Sequence, residues 1–317
     1  RFFRCAVVLY RPLHSWKNFS RHGAKAQTSN SILPLRRRAV AGEYNVKMSD
    51  EVYYVYCIAE STAVEQLPAE SLPAAIEEDA QLEWISVNTV AALGSRVPRS
   101  SYSEEQLAEH LTDATWTAIR AMRHQTLVEF VAKRVTTIPL RFGTIYLERD
   151  GIEQMLTDQG RELQLIIEQL RGREEWGVNV YSDRAVLLSS ITSVSPVLRE
   201  LVEQAEKASP GQSYLMQKKI DAMRVDEARA AVNRIVDQIE ENLKEQSDDG
   251  LRLRILKVET TEHGELKAKF AFLVKRSGFE EFRDAAERLA QEHQAAGIRL
   301  ELTGPWPVYN FVTGFTG

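Results

Sequence analysis

From residue 52 onward, apolar positions recur either without interruption over strand-length runs or at intervals of three and four, and the mixture predicts an α+β chain. Residues 52–59 (VYYVYCIA) are β-branched and aromatic throughout, which predicts a buried strand. A polar stretch with Pro68, Pro73 and the run Glu77-Glu78-Asp79 follows, then two short strands over 82–87 and 89–94, divided near Asn88. Ser103-Glu104-Glu105-Gln106 has the form of a capping box. The helix it opens carries Leu107, Leu111, Ala114, Ala118, Ile119 and Met122 at helical spacing, so these six are expected to face inward on one helix running to about residue 133. Extended pieces are predicted on either side of Pro139 within 135–147. A second helix from Asp150 has Ile152, Met155, Leu156, Leu163, Ile166, Ile167 and Leu170 as its apolar stripe, and Gly172 is placed to end it.

Beyond Gly172 the pattern is more regular. A strand over 176–181 leads into a helical region, 183–245, broken at Pro196 and at Ser209-Pro210-Gly211. Strands over 251–260 and 266–275 are joined through His263-Gly264 as a hairpin. A helix over 279–295, with Phe279, Phe282, Ala286 and Leu289 inward, ends near Gly297 and precedes a last strand over 298–303. The order β-α-β-β-α-β is that of a ferredoxin-like split βαβ unit, with a long helical crossover. At 317 residues the chain exceeds what one hydrophobic core usually organises. Two α+β domains are therefore expected, an N-terminal one over 48–171 and a modified ferredoxin-like one with a helical insertion over 172–317.

Charge adds a boundary that periodicity does not give. Residues 1–47 carry ten basic side chains and one acid, Glu43, for a net of +9; residues 48–317 carry 30 basic and 44 acidic, for −14, which together make the −5 of the whole chain. An acid-poor leader containing Arg and Ser has the composition of a transit segment or a nucleic-acid-binding arm. The reading preferred here is upstream sequence, poorly ordered, ahead of a start at Met48, because Met48-Ser49-Asp50-Glu51 runs directly into the first strand. The two cysteines, Cys5 and Cys57, are too few for a disulfide framework or a structural zinc site and fit a reducing, cytoplasmic setting. The apolar runs are only a few residues long, so no segment could span a bilayer as a helix.

Catalytic signatures are missing. The sequence has no Gly-x-Gly-x-x-Gly, Walker-type loop, Gly-x-Ser-x-Gly elbow or His-Glu-x-x-His. Its six histidines are scattered; His110 and His124, fourteen residues apart, would lie about 21 Å apart on one helix and could not share a metal. The carboxylate pairs sit at helix starts, on helix faces or in turns, where negative charge is favoured or solvated. No enzyme, cofactor or metal site is expected. Phe270-Ala271-Phe272 mimics the aromatic core of an RNA-recognition strand. Residues 172–317 nevertheless carry 20 basic and 24 acidic side chains, so such a module would bind phosphate against its own mean field. The unit therefore leaves a small-molecule sensor or an RNA-binding module as alternatives to a protein-binding role.

Three stretches combine Gly or Pro, which fix backbone shape, with aromatic and polar groups: 139–144 (PLRFGT), 172–180 (GREEWGVNV) and 304–312 (GPWPVYNFV). By themselves they suit rigid turns at a domain junction. In this order, with YYVYCIA at 53–59 and SPGQSYLMQKK at 209–219, they resemble the gas vesicle protein F/L family from about Met48 to Val312. Val308 stands where the family often has a second proline, a mild departure. The resemblance implies a non-enzymatic accessory protein of gas vesicle assembly, cytoplasmic and associated with gas vesicles. Its implied partners are the small apolar shell protein and other accessory proteins, with no nucleic acid and no membrane. It singles out Pro139, Arg141, Phe142, Gly143, Trp176, Gly177, Gly304, Pro305, Trp306, Tyr309, Asn310 and Phe311. Of these, Arg141, Trp176, Trp306 and Tyr309 are read as architectural, and the helices within 183–245 and the exposed sheet face of the second unit are the expected contact elements.

Overall fold

The computed structural model describes residues 49–67, 72–255, 260–261 and 264–312. The basic leader, the start expected at Met48, Pro68 and His263 of the expected hairpin lie outside the described residues. In chain order the elements are β1 (Glu51–Glu60), α1 (Ser61–Val64), β2 (Leu82–Val87), β3 (Val90–Pro98), α2 (Arg99–Tyr102), α3 (Glu104–His110), α4 (Ala114–Ala132), β4 (Thr137–Pro139), β5 (Ile145–Tyr146) and α5 (Arg149–Leu170). The second half holds β6 (Arg173–Ser182), α6 (Arg184–Val194), α7 (Pro196–Glu206), α8 (Pro210–Glu245), β7 (Asp249–Leu253), β8 (Thr260–Thr261), β9 (Gly264–Lys275), α9 (Phe279–Gln294) and β10 (Ile298–Trp306). The chain is thus a mixed helix-and-sheet protein, as expected.

The first sheet has the antiparallel order β2-β3-β1-β4, with β5 also pairing β1. Its central strand β1 is apolar at every position from Val52 to Ala59 because helices cover both faces. Tyr53, Val55 and Ile58 join α5 in one core, while Val52, Tyr54, Tyr56 and Cys57 join α3 and α4 in another. A register shift between Val55 and Cys57 lets Tyr56 and Cys57 serve the same core.

The helix expected over 103–133 is two helices. Ser103 caps α3 as predicted, accepting from the Gln106 amide at 3.4 Å. The Asp113 carboxylate then accepts from the amides of Thr115 and Trp116 at 2.8 and 3.1 Å and starts α4 anew. The restart changes the helical phase. Leu107 is buried, whereas Ala114, Ala118, Ile119 and Met122 are exposed, Met122 by 67%. The inward positions of α4 are instead His124, Leu127, Val128 and Val131. By contrast, all seven stripe residues predicted for α5 are buried.

The second sheet has the antiparallel order β10-β6-β9-β7, with β8 pairing the start of β9. The expected breaks at Pro196 and Pro210 are helix starts, each proline at a first-turn position where its missing N–H costs nothing. One face of this sheet is covered by α6, α8 and α9 around Val178, Val180, Phe270, Phe272 and Phe282. The other face shares a core with the first half. Leu273, Val308 and Val312 lie in the same buried cluster as Ile152, Leu163 and Ile167 of α5.

The α4 cap is a separable contribution. Asp113→Ala should lower stability by about 1 kcal/mol, read as an earlier urea midpoint with unchanged slope.

Candidate functional site

The three Gly- and Pro-containing stretches converge on one place, where the segment after β10 crosses from the second sheet to the first. Pro139 ends β4, buried opposite Cys57 of β1. Arg141 is exposed, and its carbonyl accepts from both the amide and the hydroxyl of Thr144, at 3.2 and 2.8 Å. Phe142 is buried and meets Tyr54 and His124 edge to face, with ring centroids 6.1 and 5.8 Å apart. Gly143, at φ +87°, takes a conformation that side chains rarely adopt and turns its amide onto Tyr54 Oη at 3.1 Å.

These contacts lead to His124, buried on α4. Its Nε2 lies 3.2 Å from the Leu140 carbonyl, which can only accept, so Nε2 carries the proton. Nδ1 is then the acceptor for Tyr54 Oη at 2.9 Å. Tyr56 stacks on the imidazole at 5.8 Å. Burial pushes the ring down to about 4 from its ordinary 6.5, and the Leu140 carbonyl opposes that only in part.

From the other sheet, β10 and the residues after it supply the remaining contacts. Trp176 on β6 stacks on Phe279 at the start of α9, with centroids 4.1 Å apart and planes at 19°. Gly177 faces Thr303, whose hydroxyl donates to the Gly177 carbonyl at 3.3 Å and accepts from Trp306 Nε1 at 3.2 Å. Gly304 stands at φ +131°, and a Cβ there would come within 3.0 Å of the Trp176 ring and 3.1 Å of the Glu175 carbonyl. Pro305 is exposed, and with Trp306 it lines a shallow cleft of about 40 Å³ that also meets Lys133, Arg173 and Arg276.

Tyr309 and Asn310 then reach opposite ways. Tyr309 Oη lies 3.4 Å from both His124 Nε2 and Gln125 Oε1 on α4. Asn310 binds Glu175 of β6 twice, its amide to Oε2 at 2.9 Å and its Nδ2 to Oε1 at 2.6 Å. Phe311 is half-buried against the shared core. Glu175 is only 4% exposed, and burial pushes its carboxyl up to about 7 although Asn310 and the Tyr309 amide pull it down.

Nine of the twelve family-motif residues are at least half-buried here, all but Arg141, Gly304 and Pro305, and the set assembles a junction between the sheets. Sequence reasoning missed the two groups at its centre. Glu175 reads as one of a pair of acids before Trp176, and His124 as a lone histidine on a helix. The signal for both is their spacing to the motif aromatics, which acquires meaning only once Tyr309 and Asn310 are placed beside them. The strand resembling an RNA-recognition motif is core: Phe270 and Phe272 are buried with Phe282 and have no exposed ring to stack on a base. Among the described residues no group of three His, Cys, Asp or Glu side chains could hold a metal ion.

The two buried titrations should oppose each other. Glu175 is raised in the fold, so its contribution is complete below about 4.5 and is lost as pH rises through about 7. His124 is lowered, so its contribution is complete above about 6.5 and is lost as pH falls through about 4. Relative to the parent, Glu175→Gln should gain stability as pH rises from 4.5 to 7, and His124→Gln as pH falls from 6.5 to 4. Urea unfolding across pH 4–7.5 reads both slopes, each up to about 1.4 kcal/mol per pH unit for one proton. Asn310→Ala, which takes the Nδ2 donor from a buried carboxyl, should cost about 1–3 kcal/mol at pH 8 and less at pH 5, where Glu175 is neutral.

Residues 52–313 match the family described as gas vesicle synthesis protein GvpL/GvpF. Gas vesicle protein L of a Streptomyces species is 25% identical over 223 residues, covering 70% of this chain and 79% of that protein. Gas vesicle protein L1 of Halobacterium salinarum is 23% identical over 264 residues, covering 81% and 89%. The crystal structure of the gas vesicle protein GvpF from an Anabaena species superposes with a TM-score of 0.57 at 16% identity, covering 82% of this chain and 98% of that one. The match spans the whole region that forms the junction, and the chain belongs to the gas vesicle synthesis protein GvpL/GvpF family, with a role in gas vesicle assembly.

Proposed function

We propose that the chain is a non-enzymatic accessory protein that binds the apolar shell subunit of the gas vesicle, and other accessory proteins, during nucleation or delivery of subunits. The family match over residues 52–313 carries this reading. Physical chemistry supplies its rationale. A wall that faces gas must present an apolar surface, and the unassembled subunit then needs a soluble partner to cover it. The excess of 44 acidic over 30 basic side chains in residues 48–317 keeps such a complex dispersed.

The surface that suits this partner lies on α4. Thr115, Ala118, Ile119, Met122 and Thr126 form an exposed stripe at helical spacing with no charge in it. That absence of charge matches an apolar subunit. We place the protein in the cytoplasm, associated with gas vesicles. Among the described residues no single helix is long and apolar enough to cross a membrane. The α6–α7 pair, apolar enough in sum, is bent by 62° and turns Leu187, Ile191 and Leu198 into the chain's own core.

The chain is best read as two domains, 48–171 and 172–317, the second a modified ferredoxin-like unit. The order β10-β6-β9-β7, with helices in both crossovers, favours that description. The non-enzymatic reading draws support from Glu175 and His124, whose polar atoms are taken up by protein groups. The cleft of about 40 Å³ is far below the 300–1,000 Å³ common for small-molecule sites, which favours a protein partner over a metabolite.

Co-expression with the shell subunit tests the proposal. The subunit should co-purify with the chain and stay in the supernatant, and Ile119→Glu with Met122→Glu should abolish both effects while leaving the circular dichroism unchanged. A shell subunit that neither co-purifies nor gains solubility would overturn it.

A further inference from the structure

The N-terminal half of α8 has a second face that the rest of the chain leaves open. The helix is 36 residues long, about 54 Å, and its buried side chains crowd into the stretch from Ala228 to Leu243, with Ile220 alone before them. At about 100° per residue, the direction opposite Ile220 passes through Ala222 and, on either side, Gly211, Leu215, Lys218, Val225 and Arg229. All six are exposed, Leu215 by 67% and Val225 by 48%. Their spacing is four, three, four, three, four, the interval at which a helix offers a continuous seam to another helix.

This seam is self-complementary. Two copies lying antiparallel about a two-fold axis level with Ile220 place Gly211 opposite Arg229, Lys218 opposite Ala222, and Leu215 opposite Val225, each twice. The small residue in each of the first two layers makes room for a long stem whose charge emerges at the edge. The same arrangement sets Lys218 about one residue's rise from Asp221 of the second copy, on the same flank of the seam. Within one chain Lys218 has the Tyr214 ring at 5.7 Å as its neighbour. Asp221 accepts a long hydrogen bond from Gln217 at 3.4 Å and meets Arg224 at 3.9 Å, contacts on an exposed surface that leave its charge open to a closer cation.

We propose that this face of α8 is an interface at which two copies of the chain pair antiparallel through Leu215 and Val225, with reciprocal Lys218–Asp221 ion pairs. The seam is about 27 Å long, short of the area that permanent dimers bury, so the pairing is weak and concentration-dependent. It is independent of the α4 stripe and of the shell subunit.

Sedimentation velocity of the full chain from low to high micromolar concentration is the test. The parent should show a reversible monomer–dimer equilibrium, and Leu215→Glu should weaken it by about tenfold or more. Lys218→Glu and Asp221→Lys should each be monomeric alone, because each puts like charges together. An equimolar mixture of those two variants should dimerise again, because in the mixed pair both contacts are of opposite sign. A parent that stays monomeric throughout the range overturns the proposal. So does either charge variant associating as the parent does, or a mixture that stays monomeric.

Discussion

Glu175 lies in β6 with both carboxyl oxygens taken by Asn310, while the residue before it in the crossing segment, Tyr309, reaches His124 on α4. Two neighbouring residues thus grip opposite halves of the molecule. The rest of the junction follows from that geometry. For Asn310 to face β6 and Tyr309 to face α4, the chain must leave β10 in a fixed direction, which Gly304 permits beside Trp176. His124 must also present a defined edge, which the Tyr54 and Leu140 contacts fix. Those contacts depend on the turn at Gly143, whose amide holds the same Tyr54 hydroxyl.

The choice of a carboxyl at position 175 has a chemical reason. Asn310 approaches with two donors, its backbone N–H and its Nδ2, and a group with two acceptor atoms is needed to satisfy both. A glutamine would offer one acceptor and one donor. The carboxylate satisfies both at the cost of losing its water, and burial outweighs the three hydrogen-bond donors that favour the charged form. His124 resolves the same conflict from the other direction: burial keeps it neutral, and the neutral ring has the one donor and one acceptor that Leu140 and Tyr54 require.

Most of the architecture could be read from the chain because its long elements obey one period each. The stripe of α5 and the uninterrupted run of β1 appear in the structure as the pattern implies, since burial on one or both faces decides every position in them. The reading failed where a short polar side chain redirected the backbone. Asp113 restarts the helix, and four apolar residues that continue the phase of α3 come out on the solvent side of α4. At the junction, Gly, Pro, Trp, Tyr and Asn mark places where the backbone is constrained, but Glu175 and His124 are ordinary letters in ordinary surroundings. A buried polar pair joins residues 135 or 185 positions apart, and no local pattern encodes that separation.

The two exposed helical faces were hidden from the sequence for opposite reasons. The α4 stripe is apolar enough to read as core, and only the restart at Asp113 turns it outward. The α8 seam reads as surface because Lys218 and Arg229 interrupt its apolar positions, and its regular spacing emerges once Ile220 fixes which side faces the protein. An uncharged stripe discriminates poorly among apolar surfaces, which suits a partner that is apolar over a large area. A seam that alternates long charged stems with Gly and Ala is selective, because a partner must match it layer by layer and charge by charge. Differences in charge patterning, at similar exposure, therefore suit the two faces to partners of different kinds.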